Sequence, residues 1–359
     1  MHTPPSLRRR ATSLRRGATS LRRGATMLAV VATSAVLLSG CATTASSETD
    51  ATATDSGAFP VTIESALGDA VIPSEPKSVV TIGWGSADTA IALGTTPVGV
   101  EAATWGGDED QYFPWVRDAI EKKGDDLPTT FNVYPEIDVE AVLELAPDLI
   151  LAPQSGISED EFATLSEIAP VVAYPDSAWR TTWDDQIEII GKALGKSDEA
   201  AELITGIDED IAAAAAEHPE FAGLSFAYVY AAEPGALALY QAGDPRVDLI
   251  TGLGMTIDES VGEVPLTDGS FSSTVGLERA DLLDDVDVLF TWFNDEENQK
   301  LIEAQPLFAQ IPAVERGSYV PSVDNQLGMA SSMITPLSVP WALDKYIPFI
   351  EDAVTKAAK

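Results

Sequence analysis

Short β-branched runs alternating with helical stretches, in two sets separated by a long helical interval, constrain this chain more than any other feature. The first set holds Val79-Val80-Thr81-Ile82, a helical Asp88 to Leu93, and Val98-Gly99-Val100. It continues with Val139 to Leu145 before Asp148-Leu149-Ile150-Leu151, and Glu159 to Ile168 before Val171-Val172-Ala173-Tyr174. The second set holds Ser225 to Tyr230, Val247 to Leu253, Leu277 to Leu283, Val286 to Phe290, Ser318 to Val320 and a C-terminal helix from Val339 to Ala357. Strand alternating with helix demands crossover connections, so each set is expected to build βα units around a mostly parallel sheet. Ahead of them, Val61-Thr62-Ile63 and Ala70-Val71-Ile72 flank Leu67-Gly68-Asp69 and read as a hairpin. Two α/β lobes are expected.

The interval from Thr182 to Glu217 carries Ile187, Ile190, Leu194, Leu203, Ile204, Ile207 and Ile211 at spacings of three and four, the period of a helix. Gly195 allows a bend, with Ser197 as N-cap of the continuation and Asp198 and Glu199 in its first turn. At 1.5 Å per residue the interval makes a rod on the order of 50 Å, enough to cross the back of both lobes and to limit their swing.

Charge excludes one large class of partner. Seven of the 21 basic residues are arginines within residues 1–40, which hold no acid; 14 basic residues therefore face 57 acids in the remainder, a net of −43. Phosphate backbones and anionic membrane surfaces both need clusters of Lys and Arg, so nucleic-acid binding is excluded. The arginine head is followed by an apolar run, Met27 to Leu38, too short to span a bilayer but of the length of a secretory h-region. The run ends in Leu38-Ser39-Gly40-Cys41, which resembles the lipobox of bacterial lipoproteins. That resemblance implies a signal peptide over residues 1–40, lipidation at Cys41, export, and anchoring to the outer face of the cytoplasmic membrane through the lipid alone. Residues 41–58, rich in Ala, Thr, Ser, Asp and Glu, read as a flexible acidic tether.

Cys41 is the sole cysteine, so thiol catalysis, zinc–thiolate sites, iron–sulfur clusters and internal disulfides are unavailable to the body. Once residues 1–40 are removed, His218 is the only histidine, and its place after an alanine-rich helical stretch fits a helix C-terminus. No catalytic residues are expected, and the chain is read as not an enzyme.

A repeated plan links the two sets. Asp138 to Leu151 reads as a short helix, a tight turn and a buried strand, and Gly276 to Phe290 repeats it. Glu140 precedes Asp148 by eight residues and Glu278 precedes Asp287 by nine, each glutamate in a first helical turn. The plainer reading is that each complements its helix dipole; the other is that two exposed acids form a pair of docking points. With Leu165-Ser166-Glu167-Ile168-Ala169-Pro170, Ile189-Ile190-Gly191-Lys192-Ala193-Leu194-Gly195 and Thr335-Pro336-Leu337-Ser338, the order of segments resembles the iron-siderophore and cobalamin branch (class III) of ABC-importer solute-binding lipoproteins. The resemblance covers roughly residues 58–357. It implies two Rossmann-like lobes with mostly parallel sheets, residues 59–180 and 219–359, joined by one long α-helix over 181–218. It also implies that Glu140 and Glu278 engage arginine pockets of the two permease subunits, and that a monomer suffices.

Ligands of α/β sheets bind beyond the carboxyl ends of strands. Trp84, Trp105 and Tyr112 follow first-set strands, Arg180 precedes the connecting helix, and Tyr230, Tyr240, Arg246 and Trp292 come from the second set. Flat aromatic area with few arginines suits a neutral or cationic ferric hydroxamate better than a triply charged ferric catecholate. Arg246 has two readings: toward a chelator's oxygens, as the resemblance implies, or in an ion pair with Asp244 or Asp248. No adjacent tyrosine pair and no histidine cluster exists, so the chelator, not the protein, is expected to ligate the iron. The ligand expected is thus an Fe(III)-siderophore, with no cofactor. Haem or cobalamin binding is the alternative, and an extracellular carboxylate-dependent glycosidase a further one.

Overall fold

The computed structural model describes residues 58–231, 233–267 and 272–357. The arginine head, the apolar run, Cys41 and the tether through residue 57 lie outside the described residues.

The described chain opens with the antiparallel hairpin β1 (Val61–Ile63) and β2 (Ala70–Ile72). There follow β3 (Val79–Thr81), α1 (Ser86–Ala92), β4 (Gly99–Glu101), α2 (Pro114–Lys123), β5 (Thr129–Phe131), α3 (Val139–Glu144), β6 (Leu149–Leu151), α4 (Glu159–Ser166) and β7 (Val171–Val172). The five strands from β3 to β7 form one sheet, ordered β5-β4-β3-β6-β7 and parallel throughout. Val79, Val80, Leu149, Ile150 and Leu151 are all buried. A sheet covered on both faces requires strands that are apolar at every position, hence the unbroken β-branched runs. The strand order reverses between β3 and β6, which opens a crevice at their carboxyl ends.

After α5 (Trp183–Ala193) and α6 (Ser197–Glu217), the second half runs β8 (Ser225–Tyr230), β9 (Ala236–Tyr240), α7 (Pro245–Gly252), β10 (Thr256–Ile257), α8 (Glu259–Gly262) and β11 (Ser272–Gly276). A 3₁₀ stretch, Leu277–Leu283, leads to β12 (Val288–Trp292). The remainder is α9 (Glu296–Glu303), α10 (Pro306–Ala309), α11 (Pro312–Arg316), β13 (Tyr319–Ser322), α12 (Asn325–Ser332) and α13 (Ser338–Ala357). Strands β10, β8, β12 and β13 are parallel where they pair; β9 and β11 add an antiparallel flank. The flank follows from connection length, because residues 231–235 between β8 and β9 are too few for a helical crossover.

The expected single rod is two helices. Gly195 (φ +69) takes the left-handed conformation, and the Lys196 N–H closes on the Gly191 carbonyl at 2.7 Å. In a continuous helix Gly191 and Ala200 would lie about 13 Å apart along the axis. Instead a Cβ on Gly191 would fall 2.3 Å from the Ala200 Cβ, so the helices cross at this glycine. Helix α5 packs against β1 and α1; α6, about 30 Å long, packs against α5, α7 and α13 and so makes the connection by itself.

The C-terminal segment returns to the first half. Met329, Ala330, Met333 and Ala342 share a buried cluster with Ile91, Trp115, Val116 and Ile120. Thr335 Oγ1 donates to the buried Asp88 at 2.8 Å across 247 positions of sequence. No helix among the described residues is long and apolar enough to cross a membrane.

Candidate functional site

The site begins at the reversal of strand order. Gly83, just past β3, has φ +85, and a Cβ there would lie 2.2 Å from the Gln154 carbonyl oxygen, so the position admits only glycine. The Trp84 N–H donates to the same carbonyl at 3.0 Å, which ties the loop after β3 to the loop after β6. Glu101, the last residue of β4, accepts the Gly83 N–H through Oε2 at 2.7 Å. These bonds fix where Trp84 emerges.

The second half answers with rings. Trp292 ends β12 beside its register partner Tyr230 at the end of β8, the two stacked at 4.0 Å between centroids and 7° between planes. The Tyr230 hydroxyl donates to Asn294 Oδ1 at 3.0 Å. Trp105, beyond β4, meets Trp292 nearly edge-on at 5.2 Å, a preferred aromatic geometry. Its ring lies over Gly328 of α12, where a Cβ would stand 3.1 Å from the indole. Arg246, in the first turn of α7, is 4% exposed; its guanidinium lies 4.3 Å from the Tyr240 ring centroid, and Nη1 donates to both Asp244 oxygens at 2.9 Å. Asp244 is also the N-cap of α7.

These side chains enclose two cavities of about 390 Å³ and about 580 Å³. The smaller is walled by Trp84, Trp105, Tyr112, Phe113 and Trp292 with Asp88 and Glu101; the larger by Trp84, Trp179, Trp183 and Arg180 with Asp184, Asp244 and Asp248. Trp84, Arg246 and Ser332 border both, so the two are compartments of one cleft between the halves. Five of the seven tryptophans line it. Five carboxyl groups face it against two guanidinium groups. Burial pushes the Asp88, Glu101 and Asp244 carboxyls up; hydrogen bonds from Thr335 and Trp115, the Gly83 N–H and the charge of Arg246 oppose this at the three sites respectively.

Of the residues singled out in the sequence, Trp84, Trp105, Tyr112, Arg180, Arg246 and Trp292 come together around the cleft. Tyr112 offers its ring alone, because its hydroxyl donates to the Pro128 carbonyl. Tyr230 and Tyr240 line neither cavity: the first backs Trp292 by stacking, and the second accepts from Trp292 Nε1 at 3.4 Å and carries Arg246 on its face. For Arg246 both expected placements coexist, since it pairs with Asp244 and borders the cleft. The sequence reading passed over Glu101 and Asp88. Glu101 directly follows the run Val98 to Val100, the position at which ligands are met, and that place after a strand is its one signal in the sequence.

Glu140 and Glu278 line neither cavity and are both exposed. Each occupies a first helical turn, in α3 and in the 3₁₀ stretch. Neither makes an ion pair among the described residues. The one group of His and acid side chains among the described residues able to surround a metal, His218, Glu220 and Glu351, lies outside both cavities.

A model of the family described as periplasmic binding protein matches residues 79–320. The PiaA protein of Streptococcus pneumoniae TIGR4, solved in complex with ferrichrome, is 32% identical over 82% of this chain and 99% of that one, with a TM-score of 0.75. The probable siderophore-binding lipoprotein YfiY of Bacillus subtilis is 30% identical over 50% of this chain and 51% of its own, so the chain spans about half the length of this curated relative. The ferric enterobactin-binding protein FepB of Escherichia coli is 26% identical over 72% of this chain and 82% of its own.

Proposed function

Because the chain belongs to the periplasmic binding protein family, we propose that it is the extracytoplasmic receptor of an ABC importer that captures a ferric siderophore, of hydroxamate type, and delivers it unchanged. The observation that carries this reading is the cleft itself: Trp84, Trp105 and Trp179 from loops of the first half, Trp183 at the start of α5 and Trp292 at the end of β12 stand around two joined cavities, with a negative balance of charge. Neighbours of similar shape include a protein solved with ferrichrome. A neutral or cationic ferric hydroxamate fits an aromatic, acid-rich wall, whereas a triply anionic catecholate would meet carboxylates without compensating cations. Such a receptor needs affinity and no nucleophile, so no reaction is assigned to it.

In this reading residues 59–180 and 219–359 are the two lobes that close on the guest, with 181–218 as their link. The iron stays within its chelator. The mature protein is a monomer held to the outer face of the membrane by a lipid on Cys41, and Glu140 and Glu278 dock one on each permease subunit. The test is a titration of intrinsic tryptophan fluorescence with ferric hydroxamates, ferric catecholates, haem and cobalamin. Saturable quenching by the hydroxamates alone is expected; saturation by haem or cobalamin instead would replace the reading.

A further inference from the structure

The smaller cavity has a property that capture of a ferric centre does not require. Its walls are Trp84, Trp105, Tyr112 and Trp292, and among them stands the carboxylate of Glu101. Only Oε2 of that carboxylate is engaged, by the Gly83 N–H at 2.7 Å. Oε1 has no hydrogen-bond partner among the described residues. Arg246 borders the same space, but both oxygens of Asp244 lie against its Nη1 at 2.9 Å, so its charge is already balanced. Asp88, the other acid of this compartment, is almost wholly buried and accepts from Trp115 Nε1 at 2.7 Å and from Thr335 Oγ1 at 2.8 Å, whereas Glu101 keeps partial exposure. A carboxylate with a spare oxygen among indole rings suits an ammonium group, which it can hold by charge pairing while the rings add cation–π attraction.

We propose that the smaller cavity is a subsite for a protonated amine, and that Glu101 selects siderophores whose chelating arms end in a primary ammonium over otherwise identical ones with a neutral end. This rests on the ferric-hydroxamate reading and adds to it the chemistry of the guest's tail. The larger cavity, with Arg180 and the indoles of Trp179 and Trp183, then takes the ferric centre.

The test compares ferrioxamine B, a linear ferric trihydroxamate ending in an ammonium, with its N-acetyl derivative, on the wild-type protein and on Glu101→Gln. Glutamine keeps an acceptor for the Gly83 N–H and nearly the same shape, so the loop is retained and only the charge is lost. Calorimetric titration of the wild type is expected to favour the ammonium form by about tenfold, the size of a partly buried charge and cation–π contact. In Glu101→Gln the ratio of the two affinities is expected to fall to about one, and saturable binding of the acetylated form by the variant reports an intact cleft. Equal wild-type affinity for the two guests, or a preference that survives in Glu101→Gln, would overturn the ammonium subsite and leave the receptor reading in place. Failure of the wild type to bind either guest would overturn the ammonium subsite, and failure to bind ferrichrome as well would remove the receptor reading with it.

Discussion

At the scale of single residues, the cleft depends on charges held where charge is costly. Arg246 and Asp244 are 4% exposed each and joined at 2.9 Å. Removing one partner of such a pair strands the other in a low-dielectric setting, whereas replacing both can be nearly neutral. Arg246→Met is accordingly expected to cost about 3–5 kcal/mol in chemical denaturation, and the double variant Asp244→Asn/Arg246→Met to recover most of it. An additive double variant would show that the two charges are not coupled. Asp88 makes a separate case. Burial raises its carboxyl above the ordinary range, so its favourable contribution is complete at low pH and is lost as pH rises through the raised value. Asp88→Asn keeps an acceptor for Trp115 and Thr335 without the charge. In thermal melts it is expected to match the wild type at acid pH and to exceed it by about 2–4 °C at neutral pH. Asp88 does not stand out in the sequence, because one acid among 57 carries no signal until folding removes it from water; Glu101 is marked only by its place after the run Val98 to Val100.

At the scale of elements, the repeated plan has a structural reason. Asp148, before β6, accepts the Lys77 and Ser78 N–H groups at 2.8 and 3.0 Å and so fastens the start of β3. Asp287, before β12, accepts the Ser225 N–H at 2.9 Å and fastens the start of β8. In each half an aspartate ahead of one strand secures the neighbouring strand at the middle of the sheet. Asp287→Ala is expected to cost about 1–2 kcal/mol, read as a lower denaturation midpoint with unchanged slope. The strands β3, β6, β8 and β12 were legible because their short runs are predominantly apolar, with Thr81, Ser225 and Thr291 as the small polar exceptions, and such runs have few other places to go. Strand β9, Ala-Leu-Ala-Leu-Tyr, was not, since nothing in it prefers a strand over a helix except the partner it finds in β8. The break between α5 and α6 was half legible. Gly195 marks the bend, but its sharpness depends on Gly191 meeting Ala200, a contact between residues that a straight rod would hold apart. Gly191→Leu is expected to wedge α5 from α6 and to lower the melting temperature, whereas the same change at Gly206, which has open space, should raise it slightly, because leucine is a better helix former than glycine.

At the scale of the whole molecule, the cleft and the two exposed glutamates Glu140 and Glu278 are separate features of one body. Trp84, Trp105, Tyr112 and Trp292 could be anticipated from their place after strands, whereas Trp179 and Trp183 at the start of the link were missed; that Tyr230 and Tyr240 support rather than line the cleft was hidden too, because which ring faces the opening depends on how Trp292 packs between them. Glu140 and Glu278 are exposed and lie outside both cavities, so their loss should leave capture intact. The variant Glu140→Ala/Glu278→Ala is expected to bind its guest as the wild type does while iron uptake by cells falls at least tenfold, the scale on which removal of charged anchors acts. A parallel fall in affinity would argue against docking. The most direct measurement is native mass spectrometry of the mature protein with an equimolar mixture of a ferric trihydroxamate, a ferric catecholate, haem and cobalamin. A single one-to-one adduct of the intact ferric hydroxamate is expected; an adduct of another guest, a chemically altered product, or no adduct would contradict capture and delivery of an unmodified ferric hydroxamate.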